Sequence, residues 1–394
     1  LLDPTRIYKL KTSDFERINP NTKTCPVFRT SQDAMLTTQI YRQCKVLIND
    51  ATRENIWHIK FARMFDMSND SHLFYTYSQL VDKGAKLEGN KFLLNNQFYV
   101  PLYEGKMIWH YNHHFGTINE GTKEKPARQM AMPTSDELKN PNHNIMPWYW
   151  IPKEDMDNRL IKTDAKGNII WEWSHKWLIG FRDITNATHD RTFVISLIPD
   201  ACGVGHSATL LFVERGTMPG ALLLGMMSSL VFDYATRQKI GGSHASISFV
   251  KQFPVLTPEQ VSSSGYEQDI VERVARLCWF NHDLDGWMEE LREECPEEYD
   301  LPEEPVIWDE EQRTVWQAEL DAIFAHLYGL TTEDLRYILD PEDVCGKGCI
   351  NETFRVLKER ELRELGEYRT KRLVMEAWNK FEFDNKLKML CYEK

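Results

Sequence analysis

The spacing of hydrophobic residues changes along the chain, and the changes predict the fold. Between residues 31 and 49 the apolar positions recur at helical intervals and Ser31 fits an N-cap, so this segment is predicted to form one helix. From about residue 51 to 256, short runs of alternating apolar and polar residues are separated by polar loops, which is typical of strands. From residue 257 onward the apolar positions follow a helical period again. The pattern predicts an α+β fold, with a strand-rich part followed by an all-helical part.

A run without charged residues predicts one buried helix inside the strand-rich part. Residues 216–232 carry no charge, and the apolar run ends in the basic residues Arg237 and Lys239. It is shorter than the ~20 apolar residues that a membrane-spanning helix needs, and it contains Pro219. We therefore predict a core helix over about 219–239 and no membrane span.

The segment that follows this helix carries four local signals in order. Gly241-Gly242 can end a helix, because glycine adopts positive φ at little cost. Residues 247–250 alternate in the manner of a short strand, and a proline turn follows. Residues 257–260, Thr-Pro-Glu-Gln, have a threonine for the N-cap, a proline for the first helical position and a glutamine for a capping box. A new helix is predicted to begin there.

The net charge of −12 is unevenly distributed. Residues 1–130 contain 18 Lys and Arg against 13 Asp and Glu, and residues 131–269 contain 12 against 15. Residues 270–394 contain 17 against 31 and so carry most of the excess acid. An acidic net charge argues against nucleic-acid binding, because phosphate groups repel it. The first two thirds of the chain are close to neutral, however, and can present a basic face. Contact with a polyanion is therefore predicted only for the part before the helical end.

The sequence contains no complete set of residues at the spacing of a known catalytic or metal-binding site. His110, His113 and His114 lie close together, but a metal site needs a further group that the sequence does not place. Cys345 and Cys349 have no second pair at zinc-site spacing, and the eight scattered cysteines are typical of reduced thiols in a cytoplasmic protein. We predict no metal ligand and no catalytic residue.

Six segments together resemble a known family. The segment 237–260 resembles the C-terminal edge of the target recognition domains of bacterial DNA methyltransferases, in which a similar strand leads into a spacer helix. The other segments resemble the C-terminal part of large bacterial adenine-N6 methyltransferases of restriction–modification and phage-defence systems, including the fused type IIG enzymes. These segments are 61–74, 101–117, 177–193, 335–344 and 352–378.

The resemblance implies three ranges: a connector helix region at 1–50, a target recognition domain at 51–256 and a helical C-terminal domain at 257–394. It implies that double-stranded DNA is the partner and that an N-terminal methyltransferase domain of the parent protein modifies the adenine with S-adenosylmethionine. The nearest strings to the required Asn/Asp-Pro-Pro-aromatic loop start at Asn19 and Asn140 and lack the second proline. We therefore expect no enzyme activity and no cofactor in this chain alone.

Polar and basic residues on predicted loops are the candidates for DNA contact. They cluster around a hairpin near residue 104, on the turn after residue 181 and around the double glycine. The candidates are Lys106, His110, Asn112, His113, Arg182, Asn186, Arg191, Arg237, Lys239, Ser243, His244 and Lys251. Arg237, Lys239 and Lys251 are expected to contact phosphates. The segment 119–157 departs most from the family pattern and is expected to make base-specific contacts.

The acidic end leaves an alternative open. If the recognition domain has lost sequence reading, the acidic helical part would dock a nuclease or helicase partner of the same defence system. Residues 270–394 must face protein or solvent under either hypothesis, because their charge repels phosphate.

Overall fold

A computed structural model describes residues 4–119, 129–186, 189–349 and 353–392. It confirms the predicted α+β fold, with the strands before residue 256 and a helical region after it. In chain order, the α-helices α1 to α17 are Thr12–Ile18, Ser31–Gln43, Met67–Asp70, Tyr77–Asp82, Ser135–Lys139, Lys153–Arg159, Thr217–Ser228, Leu230–Arg237, Ile247–Val250, Pro258–Ser262, Glu267–Cys278, Asp285–Glu294, Glu310–Leu327, Thr332–Leu339, Pro341–Cys345, Arg355–Leu365 and Arg369–Tyr392.

Two larger sheets form the strand-rich part. The strands β1 to β15 are Lys45–Val46, Ile59–Ala62, Lys86–Glu88, Lys91–Leu94, Gln97–Tyr103, Thr117–Asn119, Gln129–Ala131, Trp150–Pro152, Ile161–Thr163, Ile169–Glu172, Trp177–Arg182, Ile195–Pro199, Gly203–Val204, Ala208–Val213 and Pro254–Val255. One sheet has four antiparallel strands in the order β12-β11-β14-β2. The other has the order β13-β5-β4-β3, with β8 also paired to β5 and a parallel β13–β5 pair. Because β13 and β14 follow one another in sequence, residues 203–213 connect the two sheets.

Helix α7 lies between the four-stranded sheet and the C-terminal helices. Most of its residues are buried, and a helix that is apolar on every side needs packing partners on every side. A Cβ atom at Gly220 would lie 2.9 Å from the ring of Trp177, and one at Gly225 would lie 3.1 Å from Val274. The two glycines therefore allow α7 to approach β11 on one side and α11 on the other.

One large hydrophobic cluster extends through all three predicted ranges, and two smaller clusters are also present among the described residues. The segment 252–256 lies at the meeting point, because its carbonyl oxygens accept hydrogen bonds from the side chains of Tyr41, Trp57 and Tyr328. These three donors belong to the N-terminal, strand-rich and helical ranges respectively. The boundary predicted at residue 256 is thus crossed by continuous packing, and neither side buries its apolar surface without the other.

Residues 247–250 form the short helix α9, so the strand predicted there is wrong. The alternation of Ile247 and Phe249 does not mark the buried face of a sheet, because Phe249 is 39% exposed. The strand begins later, at Pro254, where β15 pairs with β1. A run of four residues is too short for its periodicity to distinguish one helical turn from a strand.

The helix predicted from the capping box is confirmed as α10. The Thr257 hydroxyl accepts a hydrogen bond from the Gln260 N–H at 3.2 Å, and the Gln260 side chain accepts one from the Thr257 N–H at 2.8 Å. Two orphan donors of the first helical turn are thereby satisfied within four residues. This local chemistry explains why the start of the helix is predictable from sequence.

The buried helix predicted over 219–239 is divided into α7 and α8, which are bent by 61° relative to each other. Ser229 separates them, and its hydroxyl caps α8 by accepting from the Phe232 N–H. Within the described residues, no single helix combines the length and the apolar composition that crossing a bilayer requires. This bent pair meets both criteria only when its two helices are taken together, and it is buried in the core.

Asp233 on α8 is a fully buried carboxylate that joins three parts of the chain. Its Oδ1 accepts hydrogen bonds from the backbone N–H groups of Thr192 and Phe193, each at 2.8 Å. Its Oδ2 accepts from Arg237 Nε at 2.9 Å. Arg237 also donates to the carbonyl oxygen of Thr353 in the helical range. One buried charge therefore holds α8, the segment before β12 and the C-terminal part together.

Replacing Asp233 by Asn should lower the free energy of unfolding by about 3–5 kcal/mol, because the buried Arg237 guanidinium loses its ion pair with this carboxylate. Asp50→Asn is the matched control, since Asp50 pairs with Lys251 near the surface and such a pair contributes only ~0–1 kcal/mol. Urea unfolding measures both changes. Equal losses in the two variants would contradict the role assigned to Asp233.

Candidate functional site

Three segments that are distant in sequence meet where the DNA contacts are predicted. Arg182, at the end of β11, donates from Nε to the Gly105 carbonyl oxygen at 2.7 Å and from a terminal nitrogen to the Ile108 carbonyl oxygen at 2.6 Å. The Thr185 N–H donates to the Ser243 carbonyl oxygen at 2.9 Å. The hairpin turn predicted at Glu104-Gly105 is wrong, because Gly105–Met107 form a 3-10 helix and the antiparallel bridge lies at Trp109 and Asn112. The hairpin segment, residues 101–117, the turn after β11 and the double-glycine segment form one connected surface.

Two paired loops in this surface form an exposed ridge, which consists of residues 183–186 and 241–244. The carboxylate of Asp183 lies beneath the ridge, 2.9 Å from His244 Nδ1 and 3.9 Å from Arg63. It fixes the orientation of the His244 ring, whose side chain is 58% exposed. The ridge presents these side chains to solvent: Ile184, Asn186, Ser243 and His244.

Six of the predicted contact residues have buried or nearly buried side chains. They are His110, Asn112, His113, Arg191, Arg237 and Lys239. Lys239 Nζ donates to the carbonyl oxygens of Ile18 and Gln252, and burial holds the pKa of Lys239 well below its usual value. The prediction that Arg237 and Lys239 contact phosphates is wrong, because internal acceptors already bind both cations. The other four side chains are also buried or nearly buried, so they do not contribute to the exposed ridge.

Lys106 and Lys251 remain at the surface, but each has an acidic partner. Lys106 lies 3.1 Å from Glu104, and Lys251 lies 2.9 Å from Asp50. Exposed pairs of this kind contribute little to stability, so a phosphate can replace the carboxylate at small cost. Phosphate contact by Lys251 and DNA contact by Lys106 stay predictions.

The segment expected to read bases is described only in part. Residues 120–128 lie outside the described residues, and the remainder up to residue 157 contains β7, α5, β8 and most of α6. β7 pairs antiparallel with β6. A base-reading role for this segment stays a prediction.

A cleft of about 760 Å³ lies between the strand-rich part and the C-terminal helices. Trp109 and Phe115 line it, and their rings stack with centroids 5.1 Å apart and planes inclined by 22°. Arg182 lies against Trp109, 4.8 Å from the centre of the ring. The charged residues around the cleft have both signs and include Arg191, Arg360 and Asp321. The cleft could not be predicted from the sequence, because its walls come from ranges that are distant along the chain. The aromatic residues near position 109 were the only feature of the sequence that pointed to a binding surface there.

Comparison with models of protein families gave no match, and neither did comparison with curated proteins. The family resemblance and the residue roles it implies therefore stay predictions.

Asp321 on α13 is a cleft residue with an unusual protonation equilibrium. Its Oδ1 accepts a hydrogen bond from the Leu230 N–H at 2.7 Å. Burial raises the pKa of Asp321 to about 7, against an ordinary value of 3.8. A carboxyl whose pKa is raised by folding adds stability at low pH, and this contribution is lost as the pH rises through the folded-state pKa.

The stability of the unmodified chain relative to Asp321→Asn should therefore fall between about pH 4 and about pH 7 and stay level above that. The variant keeps an oxygen that accepts from Leu230 but cannot ionise. Urea unfolding of both proteins over a series of pH values measures the difference. A difference that does not depend on pH would show that Asp321 does not titrate in this range.

Proposed function

We propose that this chain recognises a short asymmetric site in duplex DNA for an adenine-N6 methyltransferase of a restriction–modification or phage-defence system. In this proposal the ridge enters the major groove, and the target adenine passes to a methyltransferase domain of the same parent protein in the cytoplasm. That domain binds S-adenosylmethionine. This chain supplies recognition and no catalytic residue.

The observation that carries the proposal is the ridge itself. Three of the segments that carry the resemblance meet at the ridge: 101–117, 177–193 and 237–260. Hydrogen bonds from Arg182 and Thr185 to backbone carbonyl oxygens join them. A major groove about 12 Å wide admits a two-stranded ribbon, which is the form of these paired loops. Their Asn, Ser and His side chains suit hydrogen bonding to base edges and phosphate oxygens. Because His244 is already oriented by Asp183, it would lose little conformational entropy on binding.

A second candidate function is supported by the cleft. Its stacked aromatic pair and its charges of both signs suit a segment of protein better than a uniformly negative phosphate backbone. We therefore keep the hypothesis that the helical part docks a nuclease or helicase partner of the same system. The two functions use different surfaces, so variants of the ridge distinguish them.

Replacing Arg63 and Lys106 together by Ala should weaken binding to all duplex sequences alike. Arg63 lies 3.9 Å from Asp183 in the ridge, and Lys106 follows Gly105, whose carbonyl oxygen accepts from Arg182; the two side chains are 50% and 40% exposed. Each phosphate contact that is lost should reduce the slope of log K against log salt concentration by roughly 0.9. Arg336→Ala with Arg372→Ala is the control, because it removes the same charge from the acidic helices. Fluorescence anisotropy with a random-sequence duplex over a salt series measures the slopes.

Replacing Asn186 and His244 together by Ala should leave the salt slope unchanged and reduce discrimination between sites. A base pair read by side chains is typically discriminated by about 1–3 kcal/mol, so enrichment of a preferred sequence from a random duplex pool should fall accordingly. Undiminished enrichment in this variant, or an unchanged slope in the Arg63 and Lys106 variant, would favour the docking hypothesis.

The chain should not bind S-adenosylmethionine. Gly203, Gly205 and Ala208 have the spacing of a cofactor-binding turn, but this turn connects strands β13 and β14 and does not open a helix. Isothermal titration calorimetry with S-adenosylmethionine should give no binding heat. A dissociation constant of roughly 1 μM would overturn the claim that the cofactor belongs to another domain.

A further inference from the structure

Two histidines and an aspartate form a cluster that joins the hairpin segment to the helical part. One potential metal-ligand atom from each of His113, His114 and Asp283 lies within 4.8 Å of the other two. His114 Nε2 is 2.9 Å from Asp283 Oδ2, and the two imidazole rings are T-shaped with centroids 4.3 Å apart. Asp283 is the further group that the neighbouring histidines lack in sequence, and folding supplies it from 169 positions away.

The histidines are buried with unused nitrogen atoms. His113 is 1% exposed and His114 is fully buried. Among the described residues, His113 Nε2 and His114 Nδ1 have no hydrogen-bond partner. His143 has an unpartnered buried Nε2 as well, and its ring centroid is 6.1 Å from that of His114. A buried polar atom without a partner destabilises the fold, so a ligand bound by one of these nitrogens would stabilise it.

Hydrogen bonds between two loops hold the cluster in place. Asn281 Nδ2 donates to the His143 carbonyl oxygen at 2.9 Å, and Asn281 Oδ1 accepts from the Asp283 N–H at 2.9 Å. The His282 N–H donates to the Pro141 carbonyl oxygen at 3.0 Å. These hydrogen bonds hold the loop of Asp283 against residues 141–143 before helix α12 begins, and the His114–Asp283 pair joins it to the hairpin segment.

We propose that His113, His114 and Asp283 bind a divalent transition-metal ion, for which zinc fits the donor set best. Zinc accepts imidazole and carboxylate ligands at roughly 2.0–2.2 Å, so ligand atoms around a tetrahedral ion are roughly 3.3 Å apart. Small side-chain rotations bring atoms that lie within 4.8 Å of each other onto one such ion. Asp283 also lines a separate cleft of about 380 Å³, which gives the ion a route from solvent. The site does not depend on the proposed DNA function.

The test is a titration of the chelator-treated full chain with Co²⁺, followed by competition with Zn²⁺. Tetrahedral Co²⁺ gives visible absorption bands, and we expect them to saturate at about one equivalent and to disappear when zinc replaces cobalt. Zinc should also raise the thermal midpoint, since it binds the folded state. Asp283→Asn should weaken cobalt binding at least about tenfold. His282→Gln, at the exposed neighbouring position, is the matched control and should bind as the unmodified chain does.

The absence of cobalt and zinc binding in the unmodified chain would overturn the proposal, whatever the variants do. Binding that Asp283→Asn leaves unchanged would also overturn it, since the ion would then lie elsewhere. If the Asn variant does not fold, His113→Gln provides the same comparison from the other side of the site. Loss of binding in the folded His113→Gln variant would support the assignment, and unchanged binding would refute it.

Discussion

The hydrogen bonds and the ion pair of the buried Asp233 carboxylate hold together the segments beside the ridge. It accepts hydrogen bonds from the N–H groups of Thr192 and Phe193 just before β12, and it neutralises Arg237, which reaches the C-terminal part. A carboxylate with no solvent exposure is tolerated only when hydrogen bonds and a counter-charge replace its hydration. Because Arg237 also donates to the carbonyl oxygens of His189 and Asp190, the turn beside the ridge is held by the same charge.

The packing of α7 makes the strand-rich and helical parts one body. Trp177 on one side and Val274 on the other each contact a glycine of this helix, so substitution there would push sheet and helices apart. The chain between α9 and α10 receives hydrogen bonds from every predicted range. The acidic helices are therefore part of the scaffold that holds the ridge.

Local signals were predicted well because their causes are local. The Thr257 capping box and the apolar stripe of α11 are complete within a few residues, and both are confirmed. The prediction for Arg237 and Lys239 is wrong because the sequence does not show whether a basic side chain is buried or exposed to solvent. An arginine in an internal ion pair and a lysine bound by backbone carbonyl oxygens look the same in sequence as solvated residues. The same limit applies to His113, since its neighbour Asp283 is brought close only by tertiary packing. Neither the cleft nor the metal-type cluster could be found from spacing alone.

The central claim is that distant segments form one DNA-contacting ridge on a scaffold that includes the helical part. Photo-crosslinking of the full chain to a random duplex that contains 5-iododeoxyuridine, followed by mass spectrometry, tests it most directly. The account predicts crosslinked peptides from the turn after β11 and from the double-glycine segment in the same complexes, with salt suppressing both together. Crosslinks confined to residues 257–394, or spread evenly over the surface, would contradict it.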